Sequence, residues 1–348
     1  TALAALTDGA VPYWAGAGGI TLFMIVYVTL SGMRGVAWTD TIQGIFMLGM
    51  VWLAVAWILS AVGGPGAATG LLAENAPDHL SLGGGVYSPA YVLSTAISIA
   101  FGVTMFPQVN QRFFVAKSSA VLKRTFTLWP VLVLLLFVPA FMLGSWAAGL
   151  GIAPNANGRI LPPLLSAYTP GWFAALVIAG AMAAMMSSSD SMLLSGSSYL
   201  TRDVYRQFAT EVTERREATL GRIAVVGIAL VSFVASLFRP GTLVQIGDTA
   251  FGGFAQLALP VAVALYWQGT TRDGMLAGVG GSQAFYLASV FVPVVPSTYV
   301  LPFAPGLGGW SASVVGMALG LILTVGASAL TSPTPAEDAS VYQGLSAD

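Results

Sequence analysis

The chain alternates long apolar runs with short polar ones. A helix needs about 20 predominantly apolar residues to cross a bilayer. Nine segments meet or approach that length: 14–33, 36–62, 90–113, 125–149, 171–201, 222–238, 243–268, 273–296 and 310–331. The pattern predicts an all-α, polytopic membrane bundle of nine transmembrane helices in a lipid bilayer. Composition agrees. The 348 residues are 56% hydrophobic and 8% charged, with a mean hydropathy of +0.81. A soluble domain carries about 25% charged residues. The 41 glycines and 19 prolines suit close helix packing and broken helices.

Charge predicts an orientation. Basic residues gather at Arg34, at Arg112, Lys117, Lys123 and Arg124, between Arg202 and Arg222, and at Arg272. Crossing the segments in order brings all four groups to one side, which the positive-inside rule makes cytoplasmic. The opposite side receives 63–89, 150–170 and 297–309, where Arg159 is the one basic residue. Arg239, in a short turn on that side, is a mild exception. The chain is thus expected to start outside and end inside in the plasma (cell inner) membrane. Residues 1–332 are expected to form one transmembrane domain, and 333–348 a disordered cytoplasmic tail. An outside start, with no Met at position 1, is expected of a chain whose first helices are missing.

Several classes of function drop out. A net charge of −1 suggests no nucleic-acid partner. There is no cysteine, hence no disulfide, thiolate metal site or Cys nucleophile. No P-loop is present. The one histidine, His79, falls in a loop and gives no serine an adjacent base. No enzyme and no organic cofactor are expected.

The chemistry lies inside the apolar segments. Segment 171–201 carries Ser187, Ser188, Ser189, Asp190 and Ser191 in its middle. A carboxylate at membrane depth is costly and marks a functional site by default. Ala184, Ser187, Ser188 and Ser191 fall at i, i+3, i+4 and i+7, one face of a helix, with Asp190 beside it. Such an all-oxygen surface suits a small hard cation. Asp40 and Gln43 share a face at i and i+3 near the cytoplasmic end of segment 36–62. Asp40 reads either as a ligand or as a first-turn charge favoured by the helix dipole. Segment 90–113 contains Gly102 and Phe106-Pro107-Gln108-Val109-Asn110, where the proline breaks or kinks the helix. Asp248 and Gln256 interrupt segment 243–268, and for Asp248 a solvated first-turn position is the simpler account. Residues 202–222 read as a solvated charged linker.

Two stretches resemble the sodium:solute symporter family, which holds proline, pantothenate, sugar, iodide and monocarboxylate symporters. One is Gly32-Met-Arg-Gly-Val-Ala-Trp-Thr-Asp-Thr-Ile-Gln43. The other is Ala183-Ala-Met-Met-Ser-Ser-Ser-Asp-Ser-Met-Leu-Leu, followed by Ser198-Tyr-Leu-Thr-Arg-Asp-Val-Tyr205. Pro107, Gln111-Arg112-Phe113 and Ala116-Lys117-Ser118 are similar to the family's exit from its broken helix.

The resemblance implies a five-plus-five inverted-repeat core whose first helices are missing here. Residues 14–62 would close the first repeat, 90–268 would form the second, and 273–331 would be peripheral. It implies a sodium site on the carbonyl of Ala184 and the hydroxyls of Ser187 and Ser188, with a further share from the absent first helix. It implies a second cation site on Asp40, Ser187, Asp190 and Ser191, with Asp190 standing where several members have Ser or Ala. Phe106, Pro107, Gln108 and Asn110 would face the solute at the broken helix. The implied activity is symport of a small organic solute, such as a monocarboxylate, with sodium as the coupling ion. A membrane sensor domain, a passive channel and an assembly subunit remain open alternatives.

Overall fold

The computed structural model describes residues 10–81, 88–154, 160–209, 213–238, 243–300, 302 and 305–332. The expectations for Arg159, Arg239 and the 333–348 tail lie outside these residues. The chain forms two compact units, Thr1–Ser81 with Gln111–Pro240, and Leu82–Asn110 with Gly241–Asp348.

In the first unit, α1 (Tyr13–Val62) comprises two helical arms that meet at Gly32. Gly32 has φ 59° and ψ −164°, a conformation open to glycine and strained for other residues. This break falls where segments 14–33 and 36–62 were expected to part. Next come α2 (Pro65–Asn75), then α3 (Pro89–Met105) of the second unit. Helix α4 (Pro107–Phe114) carries the boundary between units, after Asn110. The first unit continues with α5 (Ser119–Gly149), α6 (Leu161–Tyr168) and α7 (Gly171–Ser198). A π-helical stretch, Tyr199–Tyr205, extends α7, and α8 (Glu214–Leu237) closes the unit. Its main core joins Ala54 and Ile58 of α1, Leu72 of α2, Trp146 and Ala147 of α5, Leu164 and Leu165 of α6, and Phe173 and Val177 of α7. By contrast, α5 exposes Leu132, Leu134, Phe137 and Phe141. A helix apolar all round faces lipid tails or a core, and here the tails are the available partner.

The stretch expected to be a solvated linker is largely helical. Arg202 and Arg206 both reach Glu217, at 3.1 and 2.8 Å, and these ion pairs join the end of the π-helical region to the start of α8. Thr213 caps α8 by accepting from the Arg216 amide at 3.4 Å.

In the second unit, α3 leads into α4 through Phe106, whose extended backbone (φ −62°, ψ 130°) ends α3 as Pro107 begins α4. The pair bends by 47°. This is a broken helix rather than a gentle kink. Gly102 of α3 lies so close to the Phe251 carbonyl of α9 (Leu243–Tyr266) that a Cβ would collide with it. Helix α10 (Arg272–Phe291) and α11 (Ala312–Leu330) meet along a seam of small residues. Gly274 and Gly278 meet Thr324 and Ser328, and Gly320 meets Ser282. Small residues let two backbones approach within a bilayer, where apolar burial gives little drive. A hairpin of β1 (Thr298–Val300) and β2 (Gly309–Ser311) joins these helices, with Tyr299 opposite Trp310.

Among the described residues, six helices are long and apolar enough to cross a membrane, or seven if the bent pair counts as one span. Each of the nine expected segments falls on a helix or an arm of one. Helix α10 misses that apolarity because Gly278, Gly280, Gly281, Ser282 and Gln283 dilute it. This is a multi-pass membrane protein.

Candidate functional site

The expected site residues of α7 divide into two groups. Apolar residues up to Met186 carry α7 along α1, where Gly180 sits against Met47 and Met50. Beyond them, Ser189 and Ser195 donate to the carbonyls of Met185 and Ser191, both at 2.9 Å. Helical serines commonly satisfy themselves this way. Ser187 and Ser188 make no such bond among the described residues. Ala184 and Ser187 are half-buried and Ser188 is exposed.

Asp190 and Ser191 are buried, and here the first unit brings distant residues together. Arg112 donates to the Asp40 carboxylate and to the Ser191 hydroxyl, both at 2.5 Å. Ser191 itself donates to the same Asp40 oxygen at 3.3 Å. On the other side, the Tyr27 hydroxyl donates to Asp190, and the Gln43 side chain lies beside that hydroxyl. The fold thus gathers Asp40 and Gln43 from one arm of α1, Tyr27 from the other, Asp190 and Ser191 from α7, and Arg112 from α4. Asp40 lies about two turns inside its arm, since the break is at Gly32. That position and its partners disfavour the first-turn account.

Three oxygens in this nook are buried without a partner: Asp40 Oδ1, Gln43 Oε1 and Asp190 Oδ1. Burying a polar atom without a hydrogen bond costs roughly 1–3 kcal/mol. Two carboxylates and one guanidinium also leave the nook with one net negative charge. Oxygen acceptors together with one uncompensated negative charge fit a hard monovalent cation. They offer nothing to an anion.

Tyr27, Gln43 and Arg112 were not expected as site residues. Gln43 had a signal, its shared face with Asp40. Arg112 was legible as part of a basic cluster and of the Gln111-Arg112-Phe113 motif, neither of which pointed to Asp40. Tyr27 meets Asp190 across 163 positions of sequence and gave no signal.

The solute-side residues lie at the break. Phe106 is 8% exposed, its ring 5.0 Å from that of Phe251 and 4.7 Å from that of Phe254. Pro107, Gln108 and Asn110 are half-buried on α4. The structure does not join them to the nook by any described hydrogen bond.

The model of the sodium:solute symporter family matches residues 10–281, more than half of the chain. The chain belongs to that family. It is 26% identical over 261 residues to the sodium/pantothenate symporter of Haemophilus influenzae, covering 73% of this chain and 54% of that protein. It is 27% identical over 276 residues to the sodium/proline symporter of Escherichia coli K12, covering 76% and 54%. The chain therefore spans about half the length of these curated relatives. A Na+-coupled sialic acid symporter, solved substrate-bound and outward-open, superposes with a TM-score of 0.69 at 21% identity. That match covers 90% of this chain and 66% of the other, and it establishes a shared fold. This member of the family carries both motif stretches, with the second bearing Asp190.

Proposed function

We propose that this chain is the larger part of a sodium-coupled symporter for a small organic acid, working by alternating access. The observation that carries the reading is the nook of α1 and α7, with three unpartnered buried oxygens and one unbalanced negative charge. A sodium ion there would satisfy the oxygens of Asp40, Gln43 and Asp190 together. Ser187 and Ser191 lie one turn apart on the same helix, so the ion would be held by the second-site residues Asp40, Ser187, Asp190 and Ser191. Ala184, Ser187 and Ser188 would supply the α7 share of the other sodium site. Ala184 would offer its carbonyl, and Ser187 and Ser188 would offer hydroxyls that make no hydrogen bond among the described residues.

Arg112 holds Asp40 and Ser191 in the arrangement seen here. A sodium ion arriving on the Asp190 side would compete with that guanidinium for Asp40. It would thereby loosen α4 from α7 and alter the broken helix. An ion shifts a conformational equilibrium only through unequal affinity for the two states. Competition with Arg112 provides that inequality. Gln108 and Asn110 would hydrogen-bond the solute at the break, beside Phe106 and Pro107.

Proline, pantothenate and sialic acid, the solutes named for the relatives, each carry a carboxylate, which supports an organic acid. The orientation follows from charge: Arg34, Arg112, Arg202 and Arg272 would face the cytoplasm of the cell's plasma membrane. The test is uptake of radiolabelled organic acids by vesicles holding the full-length protein. The reading expects uptake that saturates with sodium and collapses when potassium replaces it. Equal uptake in the two salts rejects sodium coupling.

A further inference from the structure

The second unit contains a cavity of about 570 Å³ that the cation site does not use. It lies among the first turns of α3 and α9, the last turns of α10, the β-hairpin and the start of α11. Its polar wall is written into helix spacing: Tyr91 and Thr95 fall at i and i+4 on α3, and Asp248 and Thr249 follow each other on α9. Asp248 is the one charged residue among its lining residues, which include no Lys, Arg or His. The Tyr91 hydroxyl donates to the Asp248 carboxylate at 3.4 Å. Tyr286 turns its hydroxyl onto the backbone carbonyls of Asp248 and Thr249, at 3.4 and 3.2 Å. Those bonds fix both rings in the wall, alongside Phe251. A further acceptor, the Ser311 hydroxyl, is buried with no partner although its residue lines the cavity.

We propose that this cavity binds a small organic ammonium ion. The charge follows from Asp248, a carboxylate with no cationic neighbour among the described lining residues, in a concave site that concentrates its field. The size follows from the volume: it falls in the range of small-molecule pockets, roughly 300–1,000 Å³, and far exceeds a bare alkali ion. The chemistry follows from the wall, which includes the aromatic residues Tyr91, Phe251 and Tyr286, a residue type that attracts ammonium groups. Hydroxyls beside them accept its N–H bonds or those of neighbouring polar groups. The site shares no residue with the nook of the first unit and does not depend on sodium coupling.

The chain has no cysteine, so Thr95→Cys places its one thiol on the cavity wall. The experiment uses the purified full-length protein with any cysteine elsewhere removed. The thiol is labelled with methanethiosulfonates bearing either a trimethylammonium or a sulfonate group. Each rate is divided by that reagent's rate with a free thiol in solution. The proposal expects the ammonium reagent to be favoured about tenfold or more, as electrostatic focusing allows. Adding Asp248→Asn should abolish most of that preference, and choline should slow the ammonium reagent only while Asp248 is present. Equal normalised rates, or a preference unmoved by Asp248→Asn, overturns the proposal. Protection by sodium equal to that by choline at the same ionic strength also overturns it, in favour of an alkali-ion site. Should Thr95→Cys fail to fold, Ser297→Cys, exposed on the same cavity, gives the same readout.

Discussion

Each unit holds a carboxylate beside a tyrosine hydroxyl, yet the two surroundings differ. In the first unit Asp190 is fully buried, joined to Tyr27, and close to a second carboxylate and a guanidinium. Every group there is within a hydrogen bond of another, or is an oxygen left without a partner. In the second unit Asp248 faces a roomy cavity with no positive side chain among its described lining residues. The tight oxygen nook suits an ion stripped of water, and the open cavity suits a larger molecule. The shared residue types therefore say less than the space around them. A carboxylate marks a site, and packing decides what enters it.

The first way to break this contrast is to neutralise the nook. Asp40→Asn and Asp190→Asn should each raise the half-saturating sodium concentration for uptake by about tenfold or more, 1.4 kcal/mol per decade. Asp40→Asn should have the larger effect, because it also strips Arg112 of its ion-pair partner. A titration of uptake against sodium gives the answer, and curves that overlay the parent's would remove the nook from the mechanism. Next, Gly278→Leu should damage the second unit alone. Its side chain has no room beside Thr324, and overpacking costs typically 1–3 kcal/mol. The expected result is a lower thermal midpoint in detergent, whereas an unchanged midpoint would mean that the α10–α11 seam opens freely.

The smaller effects sharpen the contrast. Tyr27→Phe removes one hydrogen bond to Asp190 but leaves both carboxylates in place. It should weaken sodium dependence less than either carboxylate change does, while a Tyr27→Phe protein indistinguishable from the parent would leave the hydroxyl as packing only. Ser187→Ala and Ser188→Ala should each raise the half-saturating sodium concentration by a few-fold, about 1 kcal/mol or less for one neutral oxygen ligand. The same titration reads this. A Ser188→Ala protein with lower half-saturation would contradict a ligand role.

The sequence-based reading and the structure part company in instructive places. Apolar run length found every long helix, because the bilayer sets the length and leaves few alternatives. Phe106-Pro107 announced the break, since proline removes a backbone donor and constrains the residue before it. Asp40, Asp190 and Ser191 were selected as a group through family resemblance, because no spacing rule joins residues about 150 positions apart. Tyr27 escaped because a tyrosine in an apolar helix looks like any interfacial residue. Arg112 escaped because its charge was already explained by topology. The stretch between α7 and α8 is solvated as its charges implied, yet composition alone did not show that the exposed Arg202 and Arg206 both pair with Glu217. Local composition reports what a segment tolerates, and long-range pairing decides what it does.

The account rests most heavily on an alkali ion sitting between Asp40 and Asp190. Equilibrium binding of radioactive sodium to the purified full-length protein, compared with its Asp40→Asn and Asp190→Asn variants, measures this without reference to any solute. The account predicts saturable binding in the parent that each substitution weakens by about tenfold or more. Binding of equal affinity and stoichiometry in all three proteins would contradict it.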